Sequence, residues 1–256
     1  MKCTNGVRNG LVELGAVVVL AIGASMLKAT IDHQGFARVN FVKGSPMYAK
    51  AGGAWTLAER DMALPPGYVV RTDANSRVEL ALGYNNGVIA LSPNSEIALD
   101  SLTYQYVGLH VVHETQLSLR AGRMFSQVNK LAPGSKYGVK TLRGVAAIGG
   151  GRYAISADGE VQVADGTAVM ALRSPDGVNR TLTLNEGKAL KLADPGPPQI
   201  QKITSRQQQQ LTEVAADAMA HNADSHSKAV AAPGGGQPPV VLPPLPPQAS
   251  DTTSTK

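Results

Sequence analysis

From Phe36 to about Ala193 the chain runs as short apolar segments whose polarity alternates residue by residue, separated by turn formers. Period-two alternation places successive side chains on opposite faces of an extended strand. The clearest pair is Val78–Leu82 and Val88–Leu91, flanking Gly83-Tyr84-Asn85-Asn86-Gly87. Asn86-Gly87 supplies the positive φ that a tight hairpin turn needs. Further strands are expected at Ala37–Val42, Tyr68–Arg71, Ile97–Leu99, Tyr106–Val112, Gln116–Leu119, Met124–Val128 and Tyr137–Thr141. The series continues through Val145–Ile148, Tyr153–Ser156, Val161–Ala164, Ala168–Arg173, Thr181–Leu184 and Ala189–Leu192. Breaks at Pro65-Pro66-Gly67, Ser92-Pro93-Asn94, Pro133-Gly134 and Pro175-Asp176-Gly177 fall between them. Strands at this spacing, with no helical period between them, predict an all-β domain over residues 36–194. Its expected form is a twisted antiparallel β-sandwich or roll with solenoid-like short strands. No βαβ alternation is present, which disfavours a nucleotide-binding α/β fold.

The two ends of the chain read differently. Lys2 and Arg8 precede fourteen uncharged residues, Leu14–Leu27. A basic start followed by such an apolar run has the form of a secretory signal peptide. If retained, Leu11–Leu27 reaches the lower limit for spanning a bilayer, with Lys2 and Arg8 inside and everything after Lys28 outside. Residues 1–35 are therefore expected to be a signal peptide or signal anchor forming an N-terminal hydrophobic helix. The protein is then exported, either periplasmic or anchored in the inner membrane with its domain outside the cytoplasm. Residues 195–230 read as a linker and one C-terminal helix, capped by Thr204 or Ser205 and running to about Ala220. Leu211, Val214, Ala215 and Ala218 share one face of it. Residues 231–256 carry Gly234-Gly235-Gly236 and three Pro-Pro pairs, so a disordered tail of extended character is expected.

Composition removes more functions than it supports. The 256 residues include one cysteine, Cys3, which excludes an internal disulfide framework and cysteine-based metal sites. Aromatics make up 4%, too few for a stacking surface that binds single-stranded nucleic acid. The formal charge of +5 is too dilute to indicate a polyanion by itself. No Gly-x-Ser-x-Gly elbow and no phosphate loop occurs. Gly149-Gly150-Gly151 lies between strand-like segments and reads as a tight connection or bulge. His110-Val111-Val112-His113-Glu114 looks metal-binding in text, but a strand sends residues three apart to opposite faces. Glu59 and Asp61 sit in a turn-rich, solvated stretch. The expectation is a non-enzymatic protein without catalytic, cofactor or metal residues, without cofactors, and without a nucleic-acid partner.

One charge pattern remains. No acidic residue separates Glu114 from Asp158, whereas Arg120, Arg123, Lys130, Lys136, Lys140, Arg143 and Arg152 all fall between them. Neighbouring strands can collect such residues on one face. Arg120, Arg123, Lys136, Lys140, Arg143 and Arg152 are therefore a candidate surface for an anionic partner.

Several of these segments occur in a family order. Val42-Lys43-Gly44 and Trp55-Thr56-Leu57 are followed by Gly67-Tyr68-Val69-Val70-Arg71-Thr72 and Ser76-Arg77-Val78-Glu79-Leu80. Asn86-Gly87-Val88-Ile89-Ala90-Leu91-Ser92-Pro93-Asn94-Ser95, Ala121-Gly122-Arg123-Met124-Phe125 and Thr141-Leu142-Arg143-Gly144-Val145 come next. Over roughly residues 37–193 this resembles the FecR domain, an extracytoplasmic β-rich module. Leu142 stands where that family usually has proline, and Gly149-Gly150-Gly151 replaces its Arg-Gly-Thr. The resemblance implies a module that binds an envelope protein or an anionic glycan, with the inner membrane as a further partner if the N-terminal segment is uncleaved. A signalling role follows by the same analogy; a structural envelope scaffold and a transmembrane sigma-factor regulator fragment are the alternatives. The regulators carry a sigma-binding region before the membrane span. Only about a dozen residues precede the apolar run here, too few for such a domain.

Overall fold

The computed structural model describes residues 32–83, 87–173, 179–193 and 196–231, with helix side chains described through residue 224. The N-terminal apolar segment, the turn at 84–86, the Pro175-Asp176-Gly177 break and the Pro-rich tail lie outside the described residues.

Among the described residues, seventeen strands precede one helix. They are β1 His33–Gln34, β2 Ala37–Lys43, β3 Met47–Lys50, β4 Thr56–Leu57, β5 Ala63–Leu64, β6 Tyr68–Arg71, β7 Arg77–Leu82, β8 Val88–Leu91 and β9 Glu96–Val107. They continue as β10 His110–Ala121, β11 Arg123–Val128, β12 Lys136–Lys140, β13 Gly144–Ser156, β14 Val161–Arg173, β15 Asn179–Asn185, β16 Lys188–Lys191 and β17 Gln199–Lys202. The helix α1 spans Ser205–Ala231.

All strands belong to one curled sheet that folds into two halves. The back half runs β5–β2–β7–β8–β11 to residues 151–156 of β13, then residues 161–166 of β14, β16 and β17. The front half runs β4–β3–β6–β9–β10–β12 to residues 144–148 of β13, then residues 167–173 of β14 and β15. The long β13–β14 hairpin is shared, so it must bend between halves. It does so where its register shifts between Ile148 and Gly151. Gly150, Gly151 and Gly166 all have positive φ there. A Cβ on Gly151 would run into the Asp165 carbonyl, and one on Gly166 into that of Gly150. The triple glycine is therefore the bulge that turns the sheet's corner.

Inward positions from both halves meet in one core, including Val39, Leu80, Ile89, Met124 and Tyr153 from the back and Val70, Ile97, Leu117, Val139 and Met170 from the front. Elsewhere the chain changes halves at short corners built on one repeated device. Gly44, between β2 and β3, sits at φ 73° against Ser76, and the Ser45 N–H donates to Ser76 Oγ at 2.8 Å. Gly122, between β10 and β11, sits at φ 70° against Ser95, and the Arg123 N–H donates to Ser95 Oγ at 2.9 Å. Both serines follow an asparagine whose carbonyl crowds the same glycine. Thr72 joins the second corner: its Oγ1 donates to the Ser92 carbonyl at 2.6 Å and accepts the Ser95 N–H at 3.0 Å.

The all-β expectation holds, with four differences. β10 and β12 pair in parallel, Glu114 opposite Lys136 through Ser118 opposite Lys140, so the sheet is not wholly antiparallel. This follows from β11, which crosses to the back half between them. The expected strand at Tyr106–Val112 is instead a hairpin turning at Gly108, φ 62°, and β9, β10, β13 and β14 are long rather than short. The sheet also continues past residue 194 through β17, which pairs with β16.

The helix starts as expected. The Gln207 N–H donates to Thr204 Oγ1 at 3.2 Å and the Thr204 N–H to Gln207 Oε1 at 2.8 Å, a reciprocal cap. It runs well past Ala220, and the outer face of the back half, through β2, β8, β11, β13 and β14, holds it, with contacts that reach as far as Asp224. Leu211 packs on Ala154 and Ala164, whose small side chains let the helix approach closely.

Candidate interaction surfaces

The fold separates the six cations nominated from the sequence. Arg120, Lys136 and Lys140 come together on the outer face of the front half, where strand register aligns them. Two of them form ion pairs with carboxylates from outside the acid-free stretch, and the third lies in register with one. Arg120 Nη1 lies 3.3 Å from Glu96, Lys140 Nζ lies 3.3 Å from Asp100, and Lys136 is paired in register with Glu114. Ser118 Oγ donates to Asp100 at 2.6 Å and ties that carboxylate to the same face. The result is a ladder of alternating charge rather than a uniformly positive surface. Exposed pairs of this kind contribute little to stability, on the order of 0–1 kcal/mol each.

Arg123 and Arg152 lie on the back half. The Arg123 guanidinium sits 5.4 Å from the Phe125 ring centroid. Burial lowers its pKa, partly offset by Glu160 and Asp158. Arg152 reaches Asp165 at 3.8 Å and donates to Thr212 Oγ1 of α1 at 3.3 Å, so it ties helix to sheet. Arg143 occupies the 141–143 corner, beside Gly159. Lys130 and Arg152 border an open cleft of ≈ 580 Å³ at the glycine bend, together with Gln127, Asp165 and the backbone of Gly149–Gly151.

A polar cluster that the sequence did not single out lies under the helix. Glu79 on β7 is fully buried, with Oε1 at 2.7 Å from Arg77 Nη2 and Oε2 at 2.8 Å from His221 Nδ1 of α1. The His221 ring stacks on Phe41 at 4.3 Å, and Asn40 Nδ2 donates to Asn222 Oδ1 at 2.7 Å. Arg60 and Asp224 add an ion pair at 2.8 Å near the helix end. Glu79 and His221 are 142 residues apart, and neither carries a local motif. The Asn-Ser corner, by contrast, carries a local signal that the sequence reading passed over, the likeness of Asn75-Ser76-Arg77-Val78 to Asn94-Ser95-Glu96-Ile97.

The two histidines of β10 diverge, as strand geometry requires. His110 is exposed, whereas His113 is buried, and burial lowers its pKa. Among the described residues no group of three or more metal-ligating side chains converges. Also among the described residues, no helix is long and apolar enough to cross a membrane.

A two-half roll with glycine–serine corners defines a β-rich scaffold whose polar groups are largely satisfied against one another. The FecR protein family model matches residues 68–169, from the start of β6 into β14. Residues 68–169 are thus a FecR-domain match, and it lies inside the span 37–193 over which the sequence resembles that family. The crystal structure of a candidate anti-sigma factor from Parabacteroides distasonis is similar at 13% identity and a TM-score of 0.42. The alignment covers 54% of this chain and 61% of that one. No curated protein matches the sequence.

Proposed function

We propose that this protein is a non-enzymatic FecR-type module, exposed outside the cytoplasm, that binds a protein of the bacterial envelope and takes part in signalling. The family match over residues 68–169 carries this reading. The front face supports a protein partner over an anionic glycan. A polyanion gains most from a field of one sign, whereas Arg120, Lys136 and Lys140 each stand beside a carboxylate. Alternating charge matches a surface that is itself patterned, and selects partners by penalising wrong registers.

A photo-crosslinking residue placed at Lys136 or Lys140 in native envelope should capture one discrete protein adduct. The same group at Lys191, on the back half, should not. Equal capture from both faces, or none from the front, would overturn the proposal. Retention of an anionic glycan by the wild-type chain, lost on reversing Lys136, Lys140 and Arg143, would assign the surface to the other partner class.

A further inference from the structure

The β9–β10 hairpin projects beyond the strands that flank its base. β6 pairs only with residues 96–98 and β12 only with residues 114–118, while residues 103–107 and 110–114 pair with each other and with β1. Its tip is apolar. Leu109 is 100% exposed, Tyr106 57% and Val107 47%. From Tyr104 to His113 there is no Asp, Glu, Lys or Arg. Tyr104 and Tyr106 pack edge to face at 5.8 Å, and His33 stacks on Tyr104 at 5.2 Å, making a rigid aromatic collar below the tip.

The way the chain enters the domain says what covers this tip. β1 is antiparallel to β9, with His33 opposite Tyr104 and Gln34 opposite Thr103. Followed backwards from His33, the chain therefore heads toward the tip, and Gln105 Nε2 donates to Asp32 on that path. Only six residue steps separate His33 from Leu27, the last residue of the uncharged run. Fully extended, they span about 20 Å. The tip itself stands roughly 13 Å beyond Tyr104 at the rise of a strand. A stretch of that length is long enough for a bilayer that holds residues 11–27 to meet the tip.

We propose that the β9–β10 tip inserts Tyr106, Val107 and Leu109 into the outer leaflet of the membrane that holds the N-terminal segment. This rests on the reading that the protein is exported and anchored. Tyrosines at the level of the headgroups, with an aliphatic residue beyond them, suit a shallow interfacial insertion. A second contact beside the anchor fixes the orientation of the roll, leaving its outer faces available to partners.

The test uses the full chain in a Trp55→Phe background, reconstituted in phosphatidylethanolamine and phosphatidylglycerol vesicles with brominated acyl chains. Three single-tryptophan variants are compared: Leu109→Trp, Val18→Trp in the apolar run, and Leu142→Trp at an exposed position away from the hairpin. Loss of emission is expected for Leu109→Trp and Val18→Trp, and full emission for Leu142→Trp. Quenching of Val18→Trp without Leu109→Trp would leave the anchor in place and overturn the insertion, pointing to a protein or a second copy on the tip. Quenching of Leu109→Trp alone would keep the insertion and overturn the anchor. No quenching at either site, or equal quenching at all three, would overturn the insertion.

Discussion

Ser95 offers a direct test of the corner device, because its hydroxyl reaches both backbone polar groups of Arg123 across the corner. Oγ accepts the Arg123 N–H at 2.9 Å, and the hydroxyl lies 3.1 Å from the Arg123 carbonyl, which it can donate to. The residue is 1% exposed, so water cannot replace these bonds in Ser95→Ala. A donor left unsatisfied in a buried site costs about 1–3 kcal/mol. A loss of ~2 kcal/mol would lower Tm by roughly 4–8 °C for a domain of this size. Ser76→Ala is the internal comparison: the equivalent corner loses the Ser45 N–H bond at 2.8 Å, and about 1 kcal/mol is expected. Ser118→Ala breaks a bond to Asp100 in an exposed setting and should stay within about 0.5 kcal/mol of wild type. Urea denaturation followed by circular dichroism measures all three. Gly122→Ala should be at least as damaging as Ser95→Ala, since its Cβ would strike Ser95 and the Asn94 carbonyl from a positive-φ position. A Ser95→Ala protein as stable as Ser118→Ala would refute the view that these corners hold the two halves together.

Two further outcomes follow from buried polar groups. Glu79→Ala removes the carboxylate that holds Arg77 and His221, and should cost about 2 kcal/mol after allowing for the partly exposed arginine. Hydrogen exchange should rise over the α1 segment 215–224 while the β13–β14 hairpin keeps its protection; unchanged exchange in the helix would refute the latch. The second concerns pH. Burial depresses the His113 pKa, so the unfolded chain binds the proton first as pH falls below the ordinary imidazole value near 6.5. Its contribution is complete above that value and is lost as pH drops toward the folded-state pKa. His113→Gln should therefore flatten the dependence of urea midpoint on pH between about 5 and 7; an unchanged slope would assign that dependence to other groups.

What the sequence made legible was the local alternation, and what it hid were the crossings. Val78–Leu82 and Val88–Leu91 form the expected hairpin, yet both are buried on both faces because α1 covers the outer one, so it was the two apolar runs flanking Asn86-Gly87 that marked them. β13 and β14 did not read as single strands, since the glycines that bend them look like interruptions. β4 and β5 are two residues each, too short to show any period. The cation cluster was incomplete for a related reason. Its partners Glu96 and Asp100 sit on β9, outside the stretch from Glu114 to Asp158, and only strand pairing brings them alongside.

The residues that carry the family resemblance are, in this fold, mostly residues that turn the chain. Thr72, Asn94, Ser95 and Gly122 bond or press against one another at a single corner, and Ser76 with Gly44 repeats the arrangement one crossing away. Trp55, the lone tryptophan, is covered by the Arg71 guanidinium at 4.0 Å and fixes the β3–β4 edge in the same structural sense. Such positions are constrained because a Cβ or a missing hydroxyl there breaks a crossing, whatever the protein binds. Under the proposed function, partner choice is written where the corners place no demand, on the charge ladder of Arg120, Lys136 and Lys140. Substitutions at the corners should therefore change stability while leaving the partner's identity unchanged, and substitutions on that ladder should do the reverse.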